Sequence, residues 1–140
     1  MMDKTYITIE PVGAHRVVVA ATSAGSDGIR DMLYVKLASR SGEGRIVGLT
    51  LHSQDHRGGK VVVRKAGIAK ARTFGDLRRG EPVLATEDGK VIPIRYFHGM
   101  GDNSVSPSQV ECLGYAETGQ DEPGKTVEVM ISLHGRDLTI

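Results

Sequence analysis

"GKVVVRKAGIAKA", residues 59–71, is the stretch on which the fold turns. Val61, Val62 and Val63 are consecutive β-branched residues, which pack well on a pleated surface and cost a helix side-chain freedom. Gly67 interrupts the run before Ile68, and a glycine inside a strand pattern marks a bulge or a bend. Outward from this segment the signal stays β. "TYITIE" (5–10) alternates, with Thr5, Ile7 and Ile9 on one face and Tyr6 and Thr8 on the other. "HRVVVAA" (15–21), "DMLYVKLAS" (31–39) and "RIVGLTLHS" (45–53) are further strands, and "RSGEG" (40–44) reads as a hairpin turn between the last two. "PVLATEDGKVIPI" (82–94) is a hairpin whose Asp88-Gly89 tip suits a type I′ turn. "VECLGYA" (110–116) is apolar and strand-like, and "TVEVMISL" (126–133) sets Val127, Val129 and Ile131 against Glu128 and Met130.

Helical signal is confined to "TFGDLRRG" (73–80). Thr73 and Asp76 have the spacing of a capping box, Gly80 sits at a left-handed C-cap position, and Phe74 and Leu77 would face the core. The expected fold class is therefore mostly β: a small barrel or sandwich with one short helical turn and an extended N-terminal segment. A division near residue 58 separates an N-terminal arm or irregular β segment, 1–58, from a compact barrel-like unit, 59–140, the two forming one structural unit.

Bulk composition narrows the function classes. The chain has 140 residues, enough for one domain with a real core. A net charge of +1 exerts little pull on nucleic acid or an anionic membrane, and no apolar run is long enough to span a bilayer. The absence of Trp, with two Phe and four Tyr, argues against a base-stacking surface. A single cysteine, Cys112, excludes an internal disulfide framework.

The catalytic templates fail one by one. The glycines of "GEGRIVG" and "GMGDNS" lack the phosphate-loop pattern. His52, Asp55 and His56 cluster in "HSQDH", but without the Glu of a zinc-protease helix they read as a polar loop. Cys112 lies in an apolar strand and reads as a small buried hydrophobe rather than a nucleophile paired with His98. Glu87 and Asp88 sit at a wet turn tip, where nothing raises a carboxyl pKa. No catalytic, metal or cofactor residue is expected. The competing reading is a small β-barrel enzyme or ligand-binding module, with residues 97–109 as a lid and His98 in its site.

Charge is unevenly placed. Eight basic residues and one acid lie between Arg57 and Arg79, and five acids and one base between Glu111 and Glu128. These segments can pair within the fold, pair between subunits, or remain two solvated faces.

The order of the C-terminal features carries a resemblance. Gly67-Ile68-Ala69 is followed by Gly75-Asp76 through Gly80-Glu81-Pro82-Val83, then Asp88-Gly89-Lys90-Val91, then Leu113-Gly114-Tyr115-Ala116-Glu117, Gly124, and Thr126 through Ile131. That series resembles the capsid decoration, or cement, proteins of tailed bacteriophages over about residues 60 to 133, just over half the chain on the usual reckoning of a domain. The segment "RYFHGMGDNSVSPSQ" (95–109) is longer than in relatives, and the residues before the matched part do not align. The resemblance implies a structural protein on the capsid exterior of the virion, assembled in the bacterial host cytoplasm. Its partners would be the major capsid protein, which it braces against packaged DNA, and its own copies in a homotrimer. It implies no cofactor, no catalysis, no nucleic acid and no membrane. On this reading Tyr6, Ile7 and Ile9 of an N-terminal arm reach a capsid subunit by strand addition; the alternative is that the same segment is the first strand of the chain's own barrel. The charge asymmetry sets Arg78 or Arg79 against Glu117 or Asp121 of a neighbouring copy, and Arg72 is a further capsid- or subunit-contact residue.

Overall fold

The computed structural model describes residues 2–21, 34–39, 45–94, 109–122 and 124–137. Among the described residues there are nine strands: β1 (Met2–Thr8), β2 (Val17–Ala21), β3 (Tyr34–Leu37), β4 (Ile46–Thr50), β5 (Lys60–Arg72), β6 (Pro82–Ala85), β7 (Val91–Pro93), β8 (Gln109–Ala116) and β9 (Thr126–Asp137). The valine run and the residues after Gly67 form one 13-residue strand, β5, which serves two sheets. From Lys60 to Ala66 it runs antiparallel to β1, and its Val63 and Arg64 pair with Thr50 and Leu49 of β4. From Gly67 to Arg72 it pairs instead with Ile131 to Thr126 of β9. Gly67 has φ 94°, a left-handed conformation that costs a residue with a Cβ but not glycine, and the partner strands change there.

The first sheet closes into a five-stranded barrel in the order β1-β3-β2-β4-β5, with β5 returning to β1. Only the β1–β3 pair is parallel. Closure leaves each of these strands hydrogen-bonded on both sides, which removes the sheet edges that invite aggregation. The second sheet runs β5-β9-β8-β6-β7, and a parallel bridge between Thr73 and Val91 brings its last strand back to the end of β5.

Two expectations are corrected by this topology. The segment read as a free arm is β1 of the barrel, paired over Met2–Ile7 with β5 and through Ile7 and Thr8 with β3. The first 58 residues thus supply four of the five barrel strands rather than a separate segment. β3 and β4 do not form a hairpin, because β2 lies between them and pairs with both; the turn 40–44 itself lies outside the described residues. The physical reason is that β2 is apolar on both faces and must be covered on both, so it takes the interior position.

Val17, Val18 and Val19 of β2 are all buried. Val18 points into the barrel with Tyr6, Val12, Val35, Val61 and Val63. Val17 and Val19 point outward and join Leu49, Ala69, Ala71, Leu77, Leu113 and Val129 in the core between barrel and second sheet. Leu84, Ile92 and Cys112 cluster on the other face of the second sheet, so Cys112 is the small buried hydrophobe its sequence context suggests.

The hairpin at Asp88-Gly89 forms as read. Asp88 (φ 63°) and Gly89 (φ 69°) are both left-handed, and β6 pairs with β7 from Val83–Pro93 to Ala85–Val91. The tip closes with the Lys90 amide donating to the Glu87 carbonyl at 3.3 Å, as a type I′ turn does. The helical turn expected at 73–80 is absent, and that segment is a series of bends and bridges. Thr73 does not cap a helix there: its hydroxyl is placed to donate to the carbonyls of Glu122 and Lys125, and its amide bonds the Lys125 carbonyl. Leu77 is buried as expected, but Phe74 is 49% exposed, with the Lys90 ammonium 5.9 Å from its ring centre. Pairing of Leu77 with Gln120 offers the backbone bonds that a one-turn helix could not stabilise alone.

Gly89 and Gly80 separate conformation from space. A Cβ on Gly89 would lie 2.6 Å from the Val17 carbonyl oxygen, whereas one on Gly80 (φ 87°) meets nothing within 4 Å. Gly80→Ala should cost about 1–2 kcal/mol, the left-handed strain alone. Gly89→Ala should lose about a further 1–3 kcal/mol from overpacking against the barrel wall. Urea unfolding of the two variants checks the ordering.

Candidate functional site

Three surfaces stand out, two of which hold residues singled out by sequence. The first is the seam between barrel and second sheet. His15 precedes β2 with φ 60°, a costly conformation for a residue other than Gly, Asn or Asp. Its backbone is held on both sides: the His15 amide donates to the Thr50 carbonyl (3.0 Å), and the Arg72 amide donates to the His15 carbonyl (2.9 Å). Arg16 forks onto Asp88 of the hairpin tip through Nη1, at 2.7 Å from the carboxylate and 2.9 Å from the carbonyl. Arg72 Nη1 donates to the Gly124 carbonyl at 2.5 Å. Arg72 is thus a tie within the chain, half-buried at the seam, rather than a free contact residue. Burial, with the nearby charges of Lys70, Arg72 and Arg16, holds the His15 imidazole below its ordinary pKa.

The second surface is a turn cluster. Leu77 and Gln120 exchange both backbone hydrogen bonds, at 2.8 and 2.9 Å, and the Gly80 amide donates to the Ala116 carbonyl at 2.7 Å. These bonds set the turn carrying Arg78 and Arg79 against the turn carrying Glu117 and Asp121 in the same chain. The two segments expected to meet across a subunit boundary are therefore neighbours within one copy. Arg78 and Arg79 remain exposed, and the Arg78 amide donates to the Glu81 carboxylate at 2.7 Å.

The N-terminal candidates divide. Tyr6 is 3% exposed inside the barrel, so it is not available to a partner, and alternation places Thr8 beside it on the inner face. Ile7 and Ile9 are half-buried; Ile7 pairs with Tyr34 and Lys60, and the Ile9 amide donates to the Val35 carbonyl. On β1 the outward group that makes a specific tie is Asp3, whose two oxygens accept from Arg64 Nε and Nη2 at 2.9 and 3.1 Å. That bond holds the Asp3 carboxyl below the usual range. His52, drawn from the "HSQDH" cluster, accepts the Val62 amide at Nε2 (3.1 Å), which leaves Nδ1 to donate to the Ser53 carbonyl (3.0 Å). It braces a loop against β5. His98 and most of the proposed lid, 97–109, lie outside the described residues.

The third surface went unremarked in the sequence. On the outward face of the second sheet, Ile68 pairs with Met130, and Met130 pairs with Tyr115. Ile68 is 36% and Met130 37% exposed. Tyr115 stacks on His134, ring centres 5.0 Å apart and planes 10° from parallel. The signal available beforehand was Met130 itself, an apolar residue at the polar parity of "TVEVMISL".

No family model matches the chain, and no curated protein matches it in sequence. The fold is similar to the crystal structure of the N base of head fiber gp8.5 in bacteriophage phi29. The TM-score is 0.62 at 19% identity, over 94% of this chain and 93% of that one. At that identity the likeness is one of fold.

The depressed His15 pKa fixes the sign of a pH effect. Between the lowered folded value and the ordinary value near 6.5 the unfolded chain binds the proton more readily, so stability falls as pH drops through that window. Asn tolerates the left-handed backbone and does not titrate there. Thermal unfolding of His15→Asn and wild type from pH 7.5 to 5 should therefore show a smaller loss on acidification for the variant. Equal slopes would remove His15 as the cause.

Proposed function

We propose that the chain is a structural protein of a tailed-phage head, a decoration or cement protein that binds the outside of the capsid. The observation that carries this reading is the fold shared along nearly the whole chain with the base of a phage head fiber. The ordered motifs from Gly67 to Ile131 point to the same class from sequence. The partners are the major capsid protein and further copies of the chain in a homotrimer, and the role is to hold the shell against packaged DNA. The reading needs no catalysis. Its supporting physics is a closed barrel, rigid turns and affinity built from repeated contacts over a lattice.

The turn bearing Arg78 and Arg79 suits the head-facing contact. It is exposed, it carries two cations, and its backbone is pinned by the Leu77–Gln120 pair. Purified protein should bind expanded heads of its own phage at a fixed stoichiometry and raise their disruption temperature. No binding to any capsid state would end the reading. Reversing both arginines to Glu should lower occupancy on heads and leave the unfolding temperature of the free protein unchanged, since exposed charges of this kind are worth about 0–1 kcal/mol each.

A further inference from the structure

We infer that the outward face of the second sheet on its β5–β9 side, away from the covered cluster at Leu84, Ile92 and Cys112, is the surface through which copies of this chain associate, around an axis parallel to the strands. The inference rests on the self-assembling part of the function proposed above and names the surface it uses. Across β5, β9 and β8 the residues Ile68, Met130 and Tyr115 stand at one height, in register and on one face. Pro82 of β6 continues the row opposite Tyr115. One residue pair further along that face, Lys70 stands opposite Glu128, and the Glu117 amide bonds the Glu128 carbonyl. The face therefore has two levels, one apolar and one charged.

The charges are also sorted laterally. The exposed cation, Lys70, lies on the β5 side, while acids lie on β9 and just beyond β8, at Glu128 and Glu117. An axis parallel to the strands preserves height. It brings the apolar level of each copy onto the apolar level of the next, and the β5 side of one copy beside the β9–β8 side of its neighbour. Lys70 then meets Glu117 or Glu128 of the adjacent copy. A three-fold ring satisfies this head-to-tail requirement at every contact and closes. A partner of a single charge sign gains no such match, because the described part of this face carries both signs, Lys70 against Glu128 and Glu117.

The test is sedimentation equilibrium of the intact chain with two variants, Ile68→Glu and Met130→Lys, alongside Lys70→Glu, Glu117→Lys and their double. Wild type should sediment as a trimer. Ile68→Glu and Met130→Lys should sediment as monomers whose far-ultraviolet circular dichroism is unchanged, since both side chains already reach water. Each single charge reversal should weaken the trimer and the swapped double should restore it, a rescue that loss of folding does not produce. A monomeric wild type, or trimers that survive both apolar-row variants, overturns the inference. Head binding measured on the same samples separates the two proposals. A wild-type trimer that ignores heads leaves this contact standing and removes the head reading. A wild-type monomer that decorates heads removes this contact, and loss of decoration by the Ile68 variant then assigns the face to the capsid instead.

Discussion

A single strand that belongs to two sheets is the constraint from which the architecture follows. β5 is long enough to close the barrel with its first half and to seed the second sheet with its last six residues. Had it stayed in one sheet, either the barrel would lack its closing strand or β9 would lack its partner. Gly67 permits the exchange because the backbone there is left-handed. The consequence is that the two β units share a strand, on either side of Gly67.

The shared strand in turn explains the layered core. Because the second sheet folds back over the barrel wall, β2 and β4 are covered on both sides, and a run of three valines is the composition such a strand requires. The seam is then sealed by polar ties at its rim. Arg16 reaches the hairpin tip, Arg72 reaches Gly124, and Thr50 accepts the Arg16 amide at Oγ1 while donating to the Gly13 carbonyl. Each of these bonds spans tens of residues, so the rim is a record of tertiary proximity that no local pattern encodes. It also concentrates cations around His15, which is why that imidazole loses basicity.

Surface chemistry was legible in part. The opposite charge of the segments 57–79 and 111–128 is plain in sequence, and Lys70 does stand opposite Glu128. Whether such segments meet inside one chain or between two is a question of strand order, which charge cannot answer. The turn pair at Leu77 and Gln120 places Arg78 and Arg79 beside the acidic turn of the same chain. Tyr6 shows the opposite limit. Alternation separates it correctly from Ile7 and Ile9, yet alternation does not say which face is inside, and a tyrosine beside a threonine proved to be the inner face.

By itself, the sequence determined the strands, the type I′ character of the Asp88-Gly89 tip, the burial of Cys112 and the break at Gly67. All of these are local: they follow from the two-residue period, β-branching, and the positive φ that glycine and aspartate accept. Only the tertiary structure decided that β1 closes a barrel instead of extending as an arm, that β2 separates β3 from β4, and that residues 73–80 are bridges and not a helical turn. It alone also decided that Ile68, Met130 and Tyr115 share one outward row. These depend on which distant segments satisfy each other's backbone bonds and cover each other's apolar faces. That choice is made by the free energy of the whole packed chain, not by any window along it.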